Sequence, residues 1–267
     1  SNFTAASLAK TGAQLIITES ALTSASAPPS LSAAELASLK AAGKTVVAYV
    51  NTSVTDASRA YWDTSWVTPT NPSEPDVGVV SPNAPAWLRN NLGGVDFDPA
   101  HPGDEAIRVD YRDPAWRAMV VAQAVTQVQA GYGGVFLDDV GQYYQAGFHG
   151  GSYDPTLADS MMQLVIDVAA AIRAVDPAAK VIVNSGVFIG GDSSGGTAGA
   201  LFAAYKAAID GMIIENQFHT EAQGPGVLSA ALANFPAASI MALESAALGL
   251  NREAFLDFAG RTGVLPS

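Results

Sequence analysis

Short apolar runs alternate with helix-patterned segments along the whole chain, and this alternation restricts the fold more than any other feature. The clearest run is Gly133-Gly134-Val135-Phe136-Leu137-Asp138-Asp139-Val140. Val135, Phe136 and Leu137 read as a short strand buried on both faces, and the run breaks off into two carboxylates. A helical pattern ends before it at Gly131, and another opens after it at Asp154-Pro155. A buried parallel strand with charge at its C-terminal end is the pattern of a βα unit. In barrels and open α/β sheets, chemistry gathers at that end because the loops there converge.

Seven further runs repeat the pattern: Gln14–Ser20, Thr45–Asn51, Ala106–Arg112, Val181–Gly186, Gly211–Gln217, Ala238–Ser245 and Gly263–Ser267. Helices fall between them. Ser32 with Glu35 forms a capping box for a helix over Ala33–Ala42. Asp113-Pro114 opens another, with Trp116, Val120, Ala124 and Val128 at four-residue intervals. Met161, Leu164, Val165, Val168 and Ile172 form the core stripe of the helix after Asp154-Pro155. Further helices are expected over 197–209, over 226–234 and from Asn251 to Gly260, and residues 4–11 are a candidate for the missing last one. The expected architecture is α/β: a (β/α)8 TIM barrel, with residues 1–267 as a single domain.

Between Thr52 and Glu105 the chain is irregular, with short helices expected near 56–62 and 84–91. Trp62, Trp66 and Trp87 in this segment either cover the rim as packed rings or offer stacking faces to sugars. The Gly-rich stretch 190–199 lacks P-loop spacing and reads as a connector.

Composition narrows the chemistry. Without cysteine there are no disulfides, no thiolate catalysis and no Cys-ligated zinc. A formal charge of −12 argues against a nucleic-acid partner, because its phosphates would be repelled. No apolar stretch approaches the roughly 18 residues of a membrane span.

The strand ends collect acids: Glu19, Asp110, Asp138, Asp139, Glu215 and Glu244, with Tyr49, Asn51 and Asn184 beside them and Arg112 as the one base near the rim. No strand ends in the lysine that a Schiff-base aldolase needs. His101, His149 and His219 are isolated, and Asp96, Asp98, Asp104 and Glu105 lack EF-hand spacing, so no metal site is expected. Paired-carboxylate chemistry remains, which is that of glycoside hydrolysis.

Five stretches carry a more specific likeness: Gly43–Asn51 (GKTVVAYVN), Arg59–Trp62 (RAYW), Val109–Trp116 (VDYRDPAW), Gly131–Val140 (GYGGVFLDDV) and Asp210–Gln217 (DGMIIENQ). With them the chain resembles the endo-α-1,4-polygalactosaminidase family of glycoside hydrolases and its barrel relatives. The resemblance implies Asp138 as nucleophile and Glu215 as general acid/base in a retaining mechanism. It implies a polysaccharide substrate, a cationic amino-sugar polymer that the acidic rim suits, and it brings no cofactor. Substrate contacts are expected among Glu19, Tyr49, Asn51, Asp110, Arg112, Asp139, Asn184 and Glu244. Of these, Glu19, Tyr49, Asp110, Asn184 and Glu244 serve equally well as structural hydrogen-bonding groups. Where the family often carries Gly-Glu after strand two, this chain has Thr52-Ser53. Where it often reads Asp-Asn-Val-Asp at strand four, Asp139 and Gly141 take the second and last places. The alternatives are a non-catalytic carbohydrate-binding barrel and an exo-acting α-galactosidase-like enzyme. The chain is expected to act outside the cell as a monomer, although no signal peptide is visible at Ser1.

Overall fold

The computed structural model describes residues 4–20, 30–70, 76, 78–96, 105–216, 226–244 and 252–266. His101, His219, Asp98, Asp104, Gln217 and the Asn251 cap therefore lie outside the described residues. In chain order the strands are β1 (Leu15–Thr18), β2 (Thr45–Asn51), β3 (Val54–Thr55), β4 (Val67–Pro69), β5 (Gly78–Val80) and β6 (Gly94–Asp96), then β7 (Glu105–Arg108), β8 (Gly134–Asp138), β9 (Lys180–Asn184), β10 (Gly211–Glu215), β11 (Ile240–Leu243) and β12 (Leu265–Pro266).

Seven of them form one parallel sheet in the order β1-β2-β8-β9-β10-β11-β12. Helices lie between successive strands, including Ala33–Ala41, Pro114–Gln129, Thr156–Val175, Ala200–Ala208 and Val227–Asn234. The N-terminal signals act as read: Ser32 and Glu35 close a reciprocal capping box, and Asp113 accepts from the Ala115 N–H at 2.8 Å.

The sheet curls. Val47, Phe136, Ile182, Ile213 and Met241 come from five strands yet pack into one small cluster with Leu15 and Tyr49. That cluster fills the concave side, while the intervening residues of the same strands join the large core under the helices. β8 and β9 approach closely at their start, where a Cβ on Gly134 (φ +150) would lie 2.1 Å from the Lys180 carbonyl oxygen. Among the described residues no pairing joins β12 to β1, so the observed unit is a seven-stranded curled sheet.

The stretch Ala106–Arg112 does not enter this sheet. Its first part, β7, pairs antiparallel with β3 and β6 in a separate three-stranded sheet. The reason lies in its pattern. A parallel strand covered on both faces is continuously apolar, whereas Arg108, Asp110 and Arg112 interrupt this run at every second residue. Residues 52–113 thus form one long insertion between β2 and the helix that crosses over to β8. Within it, 84–91 contains the helix Ala86–Arg89, but 56–62 is a series of turns. The Gly-rich stretch contains the short helix Ile189–Asp192, whose Gly190 rests against the Phe202 ring. No helix among the described residues is long and apolar enough to cross a membrane.

Candidate active site

Period-two alternation carries the concave face upward from the apolar cluster to the C-terminal rim. Two residues beyond Val47 and Tyr49 stands Asn51, beyond Phe136 stands Asp138, beyond Ile182 stands Asn184, and beyond Ile213 stands Glu215. Each apolar side chain on this face is followed, one pleat higher, by a polar one. Asn51 and Asp138 are direct register partners.

Asn184 joins the two carboxylates. Its amide donates to Asp138 Oδ1 at 2.8 Å, and it also acts on the Glu215 carboxyl, drawing its pKa down. Asp138 Oδ1 accepts in addition from the Asp139 backbone N–H at 2.8 Å, and the Asp138 charge acts on the Tyr49 hydroxyl. The Tyr49 hydroxyl in turn accepts from Asn51 Nδ2 at 3.1 Å. Burial and the charge of Asp138 push the Tyr49 phenol far above its ordinary value, so it stays a donor. Glu215, at the exposed end of β10, is raised above the usual glutamate value by partial desolvation and the nearby Asp138 charge, against the amide of Asn184.

Asp139 turns away from Asp138 because its backbone is left-handed, at φ 60. Its Oδ2 accepts from Asn51 Nδ2 at 2.5 Å, and Gln142 also acts on its carboxyl, drawing its pKa down. Burial and the adjacent Asp138 hold its carboxyl up at about 7. Gln142 is itself oriented by Arg108, whose Nε and Nη2 reach its Oε1 at 3.2 and 3.0 Å. The departure Thr52-Ser53 has a structural use: Thr52 bonds the Asp138 carbonyl through N and Oγ1 (3.1 and 2.7 Å), and Ser53 Oγ bonds the Asp139 carbonyl at 2.9 Å.

The remaining expected site residues divide. Glu19 connects to the group through Arg59, which lies 3.1 Å from Glu19 and sits over the Tyr49 ring at 5.5 Å. Asp110 and Arg112 bond each other at 2.8 and 3.0 Å, and Arg112 also faces Asp154, so their partners lie outside the Asp138 group. This is a correction that follows from the misread strand: without a place in the parallel sheet, Asp110 has no place on its rim. Glu244, one residue past β11, is buried and falls in the two-residue phase of Ile240 and Ala242. Arg59, Arg108 and Gln142 are the residues missed by the sequence reading. Arg59 stands inside the quoted RAYW stretch, but all three lie outside the parallel strands, where no periodicity marks direction.

The tryptophans form a packed core. Trp87 and Trp116 are buried with ring centroids 4.8 Å apart, and Trp66 meets Trp87 at 5.4 Å and Trp62 at 5.7 Å. Trp116 Nε1 donates to the Thr52 carbonyl at 2.8 Å, which ties this cluster to the backbone that holds Asp138.

A scan against models of known protein families finds no match. An uncharacterized protein of Deinococcus radiodurans is 30% identical over 217 residues, or 77% of this chain. The chain spans 62% of that relative's length. A variant of the glycoside hydrolase domain of PelA from Pseudomonas aeruginosa superimposes with a TM-score of 0.55 at 16% identity, covering 95% of this chain and 92% of that one. Ega3 of Aspergillus fumigatus, solved in complex with galactosamine, superimposes with a TM-score of 0.51 at 14% identity, covering 86% of this chain and 74% of that one. At such identities the shared property is the fold.

Proposed function

We propose that the chain is a retaining glycoside hydrolase that cleaves α-1,4-linked galactosamine-type polysaccharide, with Asp138 as nucleophile and Glu215 as general acid/base. The observation that carries this reading is that Asn184 donates to Asp138 at 2.8 Å while Glu215, from another strand, lies near enough for both Asn184 and the Asp138 charge to act on its carboxyl. In the first step Glu215 gives its proton to the glycosidic oxygen while Asp138 Oδ attacks the anomeric carbon. The C–O bond to the leaving sugar breaks, and a glycosyl–Asp138 ester forms. In the second step Glu215 takes a proton from water, whose oxygen displaces Asp138. The raised pKa of Glu215 supports the first role, because the acid must hold its proton until attack. Asn184 and the Asp139 N–H donate to Asp138 and so orient it.

The fold shared with the PelA glycoside hydrolase domain and with Ega3 supports the class of reaction, and the galactosamine bound to Ega3 is in keeping with an amino sugar. The formal charge of −12 favours a cationic glycan over an anionic one. The same reading takes residues 1–267 as one barrel domain acting outside the cell.

The test is release of reducing ends from a partly de-N-acetylated α-1,4-galactosamine polymer. Wild-type protein is expected to release them with retention of anomeric configuration. Asp138→Asn and Glu215→Gln are each expected to lose at least about a thousandfold in turnover while keeping the wild-type circular dichroism spectrum. Turnover near the wild-type level in both variants removes the assignment.

A further inference from the structure

The loops that follow Asp138 on β8 and Asn184 on β9 border a cleft of about 530 Å³ that the reaction steps above leave unused. It starts at Gly141, three residues past Asp138, and at Ser185, next to Asn184. The two loops are built to sit together. A Cβ on Gly141 would lie 3.3 Å from Ser185 Oγ, and one on Gly186 would lie 2.9 Å from Val140 Cγ1.

The cleft is aromatic and open. Among the described residues, the exposed aromatic side chains Tyr144, Phe148 and Phe188 (45%, 45% and 48% exposure) all belong to these loops, and Tyr144 and Phe188 line the cleft. Scattered exposed apolar residues need no explanation, but rings gathered at one cleft do. Tyr144 is held by edge contacts to Tyr143 at 6.4 Å and Phe148 at 5.2 Å. Polar groups accompany the rings: Asp192, which accepts from the Tyr143 hydroxyl at 2.6 Å, and the Gln145 amide. Rings that expose a face, with a few fixed donors and acceptors beside them, match a pyranose: its C–H face packs on the ring and its hydroxyls bond the rim.

We propose that this cleft is a subsite for the sugar units flanking the scissile bond, with Tyr144 and Phe188 as its stacking platforms. The inference rests on the hydrolase reading for the identity of the chain that enters. It also transfers the stacking role from the tryptophans, which are packed inside the insertion, to the loops after β8 and β9. A substrate long enough to fill the cleft gains affinity there that a monosaccharide cannot.

Affinity electrophoresis in gels containing α-1,4-galactosamine polymer tests this, in an Asp138→Asn background so that the polymer is not consumed. Phe188→Ala and Tyr144→Ala are each expected to weaken retardation by about 3- to 10-fold. Leu256→Ala, an exposed apolar truncation on the helix Arg252–Thr262, is expected to leave it unchanged. Phe188→Leu, which keeps apolar bulk without a ring, is expected to behave like Phe188→Ala and guards against a folding artefact. Unchanged retardation in both ring variants overturns the subsite even if the wild-type protein cleaves the polymer. Failure of the parent Asp138→Asn protein to be retarded at all overturns it as well. If the wild-type protein releases no reducing ends but the ring variants still lose retardation, the subsite stands and the hydrolase reading falls.

Discussion

The ends of β8, β9 and β10 and the insertion between β2 and β8 are neighbours, and they use their side chains in opposite ways. At the three strand ends, the concave face changes from Phe136, Ile182 and Ile213 to Asp138, Asn184 and Glu215 within two residues. Each strand is followed at once by a left-handed non-glycine residue: Asp139, Ser185 and Asn216, with φ of 60, 61 and 54. Such conformations cost on the order of 1 kcal/mol or more apiece and persist where the surroundings hold them. Ser185 N and Asn216 N are held by carbonyls of the neighbouring strands, Ile213 O at 2.9 Å and Leu243 O at 2.7 Å. The insertion does the reverse. It buries rings against one another and carries the bond from Trp116 Nε1 to Thr52, whose own N–H and hydroxyl grip Asp138. A polar, strained group of strand ends is tolerable because an apolar neighbour supplies packing and pins the backbone.

The largest effect that can break this comparison is Trp87→Ala. If the insertion is a packing unit, losing this buried ring destabilises the fold by about 3–5 kcal/mol, read from chemical denaturation, and leaves polymer affinity per folded molecule unchanged. A drop in affinity with little loss of stability would mean that the tryptophans contact sugar after all. A smaller effect belongs to the other region. Tyr49→Phe removes the hydroxyl that accepts from Asn51 Nδ2 and feels the Asp138 charge. A polar interaction with a charged group is worth about 1.5–3 kcal/mol, so kcat/KM is expected to fall by roughly 10- to 100-fold with little change in the unfolding midpoint. If the midpoint moves as far as the rate does, Tyr49 is a packing residue and the two regions are less distinct than drawn.

The same contrast explains what is legible in the sequence. Asp138 and Glu215 stand out because a continuous apolar run that ends in a carboxylate can do so only at a strand end, and period two then fixes the face. Asn51, Tyr49 and Asn184 follow by the same phase. The phase sets Glu244 apart from them, with Ile240 and Ala242. Ala106–Arg112 misleads because an edge-type antiparallel run and a barrel strand share β-forming residues and differ only in how often charge interrupts them. Arg59 and Gln142 reach the site from turns and a short 3₁₀ segment, where direction depends on long-range contacts. Tryptophans are the natural place to look for stacking rings, yet a buried indole does most for packing, and the exposed faces belong to Tyr144 and Phe188.

The smallest expected effect is the most pointed. Asp139 takes the place where the resembling family often has Asn, and its carboxyl is held up at about 7 by burial and by Asp138. An unfolded-chain aspartate titrates near 3.9. Between about pH 4 and 7, the folded state therefore keeps a proton that the unfolded state has released, so stability falls as pH rises through this window. The amide introduced by Asp139→Asn has nothing to titrate, and its oxygen can still accept from Asn51 Nδ2. This variant is thus expected to match the wild-type protein near pH 4.5 and to exceed it increasingly as pH rises to 8. Denaturation of both proteins across this range measures the difference directly, and titrations elsewhere in the molecule cancel in it. A difference that stays flat from pH 4.5 to 8 would mean that Asp139 is ionised throughout. The strand ends would then hold two adjacent charged carboxylates, and their cost to the fold would be larger than the contrast with the insertion implies.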